Sequence, residues 1–150
     1  MNASVRFLSV LAAVLALCAP AFASDKDDAV SLVKKAAASV QAAGKDATLA
    51  AINDPKGPFV KGTLYVFAFS MDGTTLAHSA NPKLVGKNLS ELKDSDGKLF
   101  IGEFIATAKS PSGHGWIDYN WTNPQTKKIE PKSSYIEKVG DMLFGCGIYR

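Results

Sequence analysis

Histidine and cysteine are scarce in this sequence, and each scarcity excludes a kind of chemistry. Two histidines and two cysteines occur in 150 residues. They stand at His78, His114, Cys18 and Cys146, with no H-x-x-x-H, C-x-x-C or haem-attachment spacing, so the pattern offers no metal centre and no bound cofactor. A G-x-S-x-G elbow, a phosphate-cradling glycine loop and a carboxylate pair suited to acid–base work are missing as well, which leaves no enzyme class with its machinery. The Met71–Thr74 stretch superficially resembles a phosphatase aspartate motif, but it lies between two short strand patterns and reads as a hairpin turn.

A strong charge of one sign is missing too. Seventeen Lys and Arg stand against 14 Asp and Glu, for a formal charge of +3. Lysines alternate with acids along the chain, and no basic block or helix face could neutralise a phosphate backbone, so nucleic acid is excluded as a partner.

Long apolar runs are confined to the N-terminus. Arg6 precedes the run FLSVLAAVLALCAPAF, and Ala21-Phe22-Ala23 has the A-x-A form of a cleavage signal. This predicts a secretory signal peptide, residues 1–23, removed to leave a domain of residues 24–150. A membrane-spanning helix would want roughly 20 apolar residues, and Pro20 interrupts this run. A lipid anchor would need a small residue ahead of Cys18, where Leu17 stands. No later stretch is long enough to cross a bilayer, so the mature chain is expected to be soluble in the periplasm or outside the cell. Cleavage removes Arg6 and Cys18. The formal charge falls by one, and Cys146 is left without an internal disulfide partner, as a buried small hydrophobe or a reactive thiol.

What remains reads as one α+β domain. DKDDAVSLVKKAAASVQAAG predicts an amphipathic helix with Val30, Val33, Ala37 and Val40 on its apolar stripe and Gly44 at its end. A second helical piece follows and stops at Asp54-Pro55. TLYVFAFS and TLAHS form a hairpin about Asp72-Gly73, a long loop spans about residues 80–98, and LFIGEFIATAKS predicts a helix. Three strand signals close the chain, GWIDYNWTN, KIEPKSSYIEKV and MLFGCGIYR, separated by Asn123-Pro124 and Gly140-Asp141 turns. The expected fold is an antiparallel five-stranded sheet with helices on one side.

Strand alternation sorts the polar candidates. Tyr119 and Trp121 share one face with Ile117, and Lys132 and Ser134 share one with Ile136, so neighbouring strands would put Tyr119, Trp121, Lys132 and Ser134 on one wall. A buried unpaired ammonium is expensive. A carboxylate ligand would supply the missing negative charge, with the hydroxyls orienting it. Alternatively Lys132 snorkels to solvent at a sheet edge, and spacing alone leaves both readings open. His78 closes the second strand either as a further donor or as a satisfied structural histidine, while His114, in a glycine-flanked loop, reads as solvated.

Taken in order, YVFAFSMDGTTLAHSANPKLVGKNLSELKDSDGKLF, GWIDYNWTNPQTKKIEPKSSYIEKV and FGCGIY resemble the single Cache sensor domain family, in its second subgroup, from about Asp28 to Tyr149. The resemblance implies a long N-terminal helix packed on a PAS-like sheet, with one small-molecule pocket between the sheet and the connecting segments. It also implies a non-enzymatic domain that senses small organic compounds outside the cytoplasm, often short carboxylates. Ligand contacts carried over from the family fall on Tyr119, Trp121, Lys132 and Ser134; Tyr65, Phe67 and His78 of the first hairpin are added. Trp116 and Tyr135 lie on the opposite faces and are expected to pack against the helix.

The sequence departs from the family pattern in two places. Family members usually continue into a methyl-accepting, kinase or cyclase module, whereas this sequence ends at Arg150, so a separate membrane receptor or transporter is the expected partner. Ser79-Ala80-Asn81 intervene before Pro82, where family members often have proline directly after the histidine. A rival expectation is an accessory interaction protein with a vestigial pocket, forming a homodimer through its N-terminal helix.

Overall fold

The computed structural model describes residues 21–150. The expected leader lies outside the described residues except for Ala21–Ala23, which begin the first helix. In chain order the elements are α1 (Ala21–Ala43), α2 (Lys45–Ile52), β1 (Val60–Lys61), β2 (Leu64–Ser70), β3 (Thr75–His78), a 3-10 turn (Pro82–Leu84), α3 (Phe100–Lys109), β4 (His114–Thr122), β5 (Ile129–Val139) and β6 (Met142–Tyr149). All strand pairs are antiparallel, in the order β1-β2-β6-β5-β4, with β3 also pairing β2. The α+β architecture is as expected, with one strand more. The two-residue β1 carries too short an alternation to show in a sequence.

Gly44 separates the two N-terminal helices. Its φ of 90° suits a residue without a Cβ, and its N–H donates to the Val40 carbonyl at 3.1 Å, closing α1. The stripe that α1 buries is shifted from the expected one: Ala29, Leu32, Val33 and Ala36 are buried, whereas Val30, Ala37 and Val40 are only partly covered. Small side chains at Ala29 and Ala36 let the helix axis approach the sheet, which moves the contact line off the valines.

The sheet has helices on both faces, not on one side as expected, because the apolar residues of α3 and those of α1 are buried in separate cores. On one, α1 and α2 pack over Leu64, Val66 and Ala68 of β2 and Met142, Phe144, Cys146 and Ile148 of β6. Trp116 and Tyr135 lie on this face, as alternation predicted. On the other, Phe100, Ile101 and Phe104 of α3 pack over Tyr65, Phe67 and Phe69 of β2, Leu143 of β6 and Tyr119 of β4.

The long segment between β3 and α3 is tied down by backbone bonds. Thr75 of β3 exchanges bonds with it, through Thr75 N–H to the Lys87 carbonyl at 2.9 Å and Gly86 N–H to the Thr75 carbonyl at 2.8 Å. Asp94 fastens its far end: Oδ1 accepts from the Lys98 amide at 2.9 Å, and Oδ2 accepts from the Asn120 amide of β4 at 3.0 Å. These bonds hold the Asp94 carboxyl below the usual carboxylate range. Leu89 is thereby carried into the aromatic side of the sheet.

β6 owes its place at the centre to two glycines. A Cβ at Gly145 would overlap the Phe67 ring and come within 2.8 Å of Ile136 Cδ1. Gly145→Ala should therefore destabilise the fold by about 1–3 kcal/mol through overpacking. A lower urea midpoint with an unchanged m-value would show it, and an unchanged midpoint would contradict the packing described.

Candidate functional site

Lys132 is fully buried in the middle of β5. Alternation along β5 sends Tyr135 to the helix side and Lys132, Ser134 and Ile136 to the α3 side, where the lysine stem must cross β6 to find room. Gly147 supplies that room, because a Cβ there would strike Ser134 Oγ and lie 2.6 Å from Lys132 Cε. The stem crosses the glycine and delivers the amine to β2, where Nζ donates to Tyr65 Oη at 2.7 Å. Around it stand ring faces, with Tyr65 4.0 Å, Tyr149 4.9 Å and Phe67 5.4 Å from Nζ.

No carboxylate reaches this amine among the described residues. Burial holds it down at about 7, far below an ordinary lysine. The hydroxyls around it are ordered. Tyr149 O–H donates to the Thr122 carbonyl at 2.8 Å, so its proton is committed there. The Tyr65 and Tyr149 oxygens are 2.9 Å apart, hence Tyr65 donates to Tyr149 and turns only lone pairs towards the lysine. Tyr119 Oη and Ser134 Oγ form a second pair, 3.0 Å apart. Burial raises the Tyr65 and Tyr119 hydroxyls above the usual phenol range, so both stay protonated at neutral pH.

His78 is buried beside this group, its ring 5.1 Å from that of Tyr65 and 6.4 Å from that of Trp121. Its Nδ1 accepts the Asn81 N–H at 3.0 Å, which leaves the proton of the neutral ring on Nε2. Burial, with the Lys132 charge second, holds it down at about 3. The Ser79-Ala80-Asn81 insertion thus provides the amide that fixes the tautomer.

The structure brings Tyr65, Phe67, His78, Tyr119, Trp121, Lys132 and Ser134 to one face of the sheet. Sequence reasoning missed Phe100 and Phe104 of α3, and Tyr149. The Phe100 ring stacks on Tyr119 at 4.6 Å, and that of Phe104 meets Phe67 at 5.7 Å. Their four-residue spacing was visible, but it reads as packing until the helix is known to roof a lysine. The rings leave a void of about 10 Å³ bordered by His78, Phe100, Phe104, Tyr119 and Trp121, room for about one water. Lys132 does not border that void, because Tyr65 and Phe67 cover its amine.

Elsewhere the chemistry is sparse. Cys146 is buried on the helix side of β6, where burial pushes its thiol up to about 12, the behaviour of a small apolar filler. His114 is exposed. Among the described residues no three metal-binding side chains gather, and no helix is long and apolar enough to cross a membrane.

Comparison with known proteins gives this arrangement its family. The dCache_2 model, a Cache domain, matches residues 31–150, and the chain belongs to that family. A sensor histidine kinase, MctS, of Rhizobium johnstonii is 34% identical over 87 residues, which are 57% of this chain and 18% of the kinase. The chain thus spans less than a fifth of that relative. A methyl-accepting chemotaxis protein of Vibrio parahaemolyticus superposes with a TM-score of 0.73 at 24% identity, over 85% of this chain and 90% of that one. A Cache chemosensory domain described for carboxylic acid recognition superposes with a TM-score of 0.69 at 26% identity, over 85% and 95% of the two chains. The fold is therefore that of the sensor domains of chemoreceptors.

The lowered affinity of Lys132 for its proton has a stability consequence of fixed sign. Below about pH 7 the amine is charged in both states, and the folded chain bears the full desolvation penalty. Between about 7 and the ordinary value of 10.5 the unfolded chain holds the extra proton, so stability from this group rises with pH. Lys132→Met should therefore stabilise the ligand-free protein by on the order of a few kcal/mol near pH 6, the gain shrinking towards pH 10. Chemical denaturation of both proteins across that range checks it; a pH-independent difference would refute it.

Proposed function

We propose that this chain is an extracytoplasmic Cache sensor module that captures a small organic carboxylate, with Lys132 as its counter-charge. The observation that carries the reading is a fully buried amine that meets hydroxyls and ring faces but no carboxylate among the described residues. A carboxylate reaching it would find two unused N–H donors on Nζ, the Tyr119–Ser134 hydroxyl pair and the Nε2–H of His78. Tyr65 and Tyr149 would shape the site without donating to the ligand, their protons being committed elsewhere. Likeness to a domain described for carboxylic acid recognition supports the ligand class.

The ligand is small. With a void of about 10 Å³, entry requires a ring to move, and half-buried Trp121, between His78 and the surface, is the natural one. Residues 1–23 act as a cleaved leader, residues 24–150 as the sensor domain in the periplasm, and a membrane receptor or transporter reads the captured ligand. The near-complete filling of the cage by its own rings favours one other reading, an accessory subunit whose pocket stays shut and whose partner docks on α1.

Thermal unfolding of the mature chain with acetate, propionate, pyruvate, succinate, urea and amines separates the two. A carboxylate at about 100 times its dissociation constant should add roughly 2.7 kcal/mol, a shift of several degrees, and Lys132→Met should abolish it. A shift that survives in Lys132→Met would sink the counter-charge. No shift with any compound would favour the accessory subunit.

A further inference from the structure

Resting on the carboxylate reading, we infer that capture at this site is proton-linked: an anionic ligand enters together with one proton, which settles on the Lys132 amine. The geometry favours a site that is uncharged without ligand above neutral pH. Lys132 is completely enclosed, one neutral hydroxyl bonds its nitrogen, and the rings of Tyr65, Phe67 and Tyr149 take the place of water. An ammonium so placed is far from compensated, and above about pH 7 the cheaper state is the free amine. A carboxylate alters the balance, since amine, proton and carboxylate together form a neutral ion pair. The step is R–COO⁻ + H⁺ + H₂N–Lys132 going to R–COO⁻ beside ⁺H₃N–Lys132. No covalent bond to the ligand forms, and an undissociated acid entering and ceding its proton reaches the same state.

Every titratable group packed around the amine points to the lysine as the carrier. From β2, β4 and β6 come Tyr65, Tyr119 and Tyr149, all raised by burial and so already protonated. From β3 comes His78, held at about 3 and therefore neutral over the physiological range. α3 presents Phe100 and Phe104, while its Glu103 is turned to solvent and paired with Lys98 at 3.0 Å. Cys146 lies on the opposite face of β6. Bulk water lies close by: Tyr65 and His78 both border a surface cavity of about 190 Å³.

The test is calorimetric titration of the wild-type chain with acetate or propionate in buffers of different ionisation heat. Near pH 8.5 the count should approach one proton taken up per ligand, falling towards zero near pH 5.5, and affinity should weaken about tenfold per pH unit above roughly 8. No uptake near pH 8.5 with binding intact would overturn the inference and leave the carboxylate reading standing. In His78→Gln affinity should fall with the lost Nε2 donor while the proton count per bound ligand stays near one; a count near zero with ligand still bound would put the proton on the histidine and refute the assignment to Lys132. A ligand-free readout makes the inference testable even if neither acid binds. The 13Cε resonance of Lys132, assigned by its absence in Lys132→Arg, should titrate near neutral pH, and a midpoint above about 10 would overturn the proposal whatever the ligand proves to be.

Discussion

Lys132 carries an amine that water cannot reach, and much of the pocket face follows from that. Taking an isolated ammonium out of water is penalised far more heavily than any neighbour here can offset. A cation over an aromatic ring recovers about 0.5–2 kcal/mol, and a hydrogen bond to a charged group about 1.5–3. Tyr65 supplies both, and Phe67 and Tyr149 add ring faces. Desolvation still wins, which is why the amine sits at about 7 instead of 10.5. The partner able to reverse the balance is an anion, and none is built into the described residues.

The sheet accommodates this by making its two faces unlike each other along a single strand. β6 turns Met142, Phe144, Cys146 and Ile148 to the helices, a run of bulk that holds α1 in place. To the other side it turns Gly145 and Gly147, and the space they leave is filled from β5 and β2 by Lys132, Ser134 and Phe67. Strands β2, β5 and β6 therefore serve both cores. A shift of Lys132 or Tyr65 and the seat of α1 are separated by one layer of backbone, with Cys146 and Gly147 on its opposite sides.

Most of the architecture was legible because it rests on period and punctuation. The Asp72-Gly73 turn, the Asn123-Pro124 and Gly140-Asp141 breaks and the alternation in β4 and β5 are local signals, and they placed Trp116 and Tyr135 on the helix side. β2 was harder. LYVFAFS is apolar at nearly every position because both its faces are buried, so alternation could not assign them. The α1 stripe slipped because alanine reads as weakly apolar while marking the closest approach. What Lys132 touches was beyond sequence reasoning, since it depends on a glycine of the next strand and on a tyrosine hydroxyl 67 residues earlier. The ordered chain Lys132–Tyr65–Tyr149–Thr122 joins four separate strands, and no local pattern encodes it.

That the cation is lysine and not arginine is itself informative. A guanidinium stays charged at any pH the protein meets, and in this cage it would leave a permanent buried charge whenever no anion was present. It would also need more of its five donors satisfied than one tyrosine oxygen can manage. Lysine can shed its proton, and as a free amine it still donates to Tyr65, whose own proton is drawn towards Tyr149 by the Thr122 carbonyl. The orientation of that hydroxyl chain is thus compatible with either protonation state of the lysine. A site with those properties can fold without its ligand and still present full positive charge to an anion that arrives with a proton.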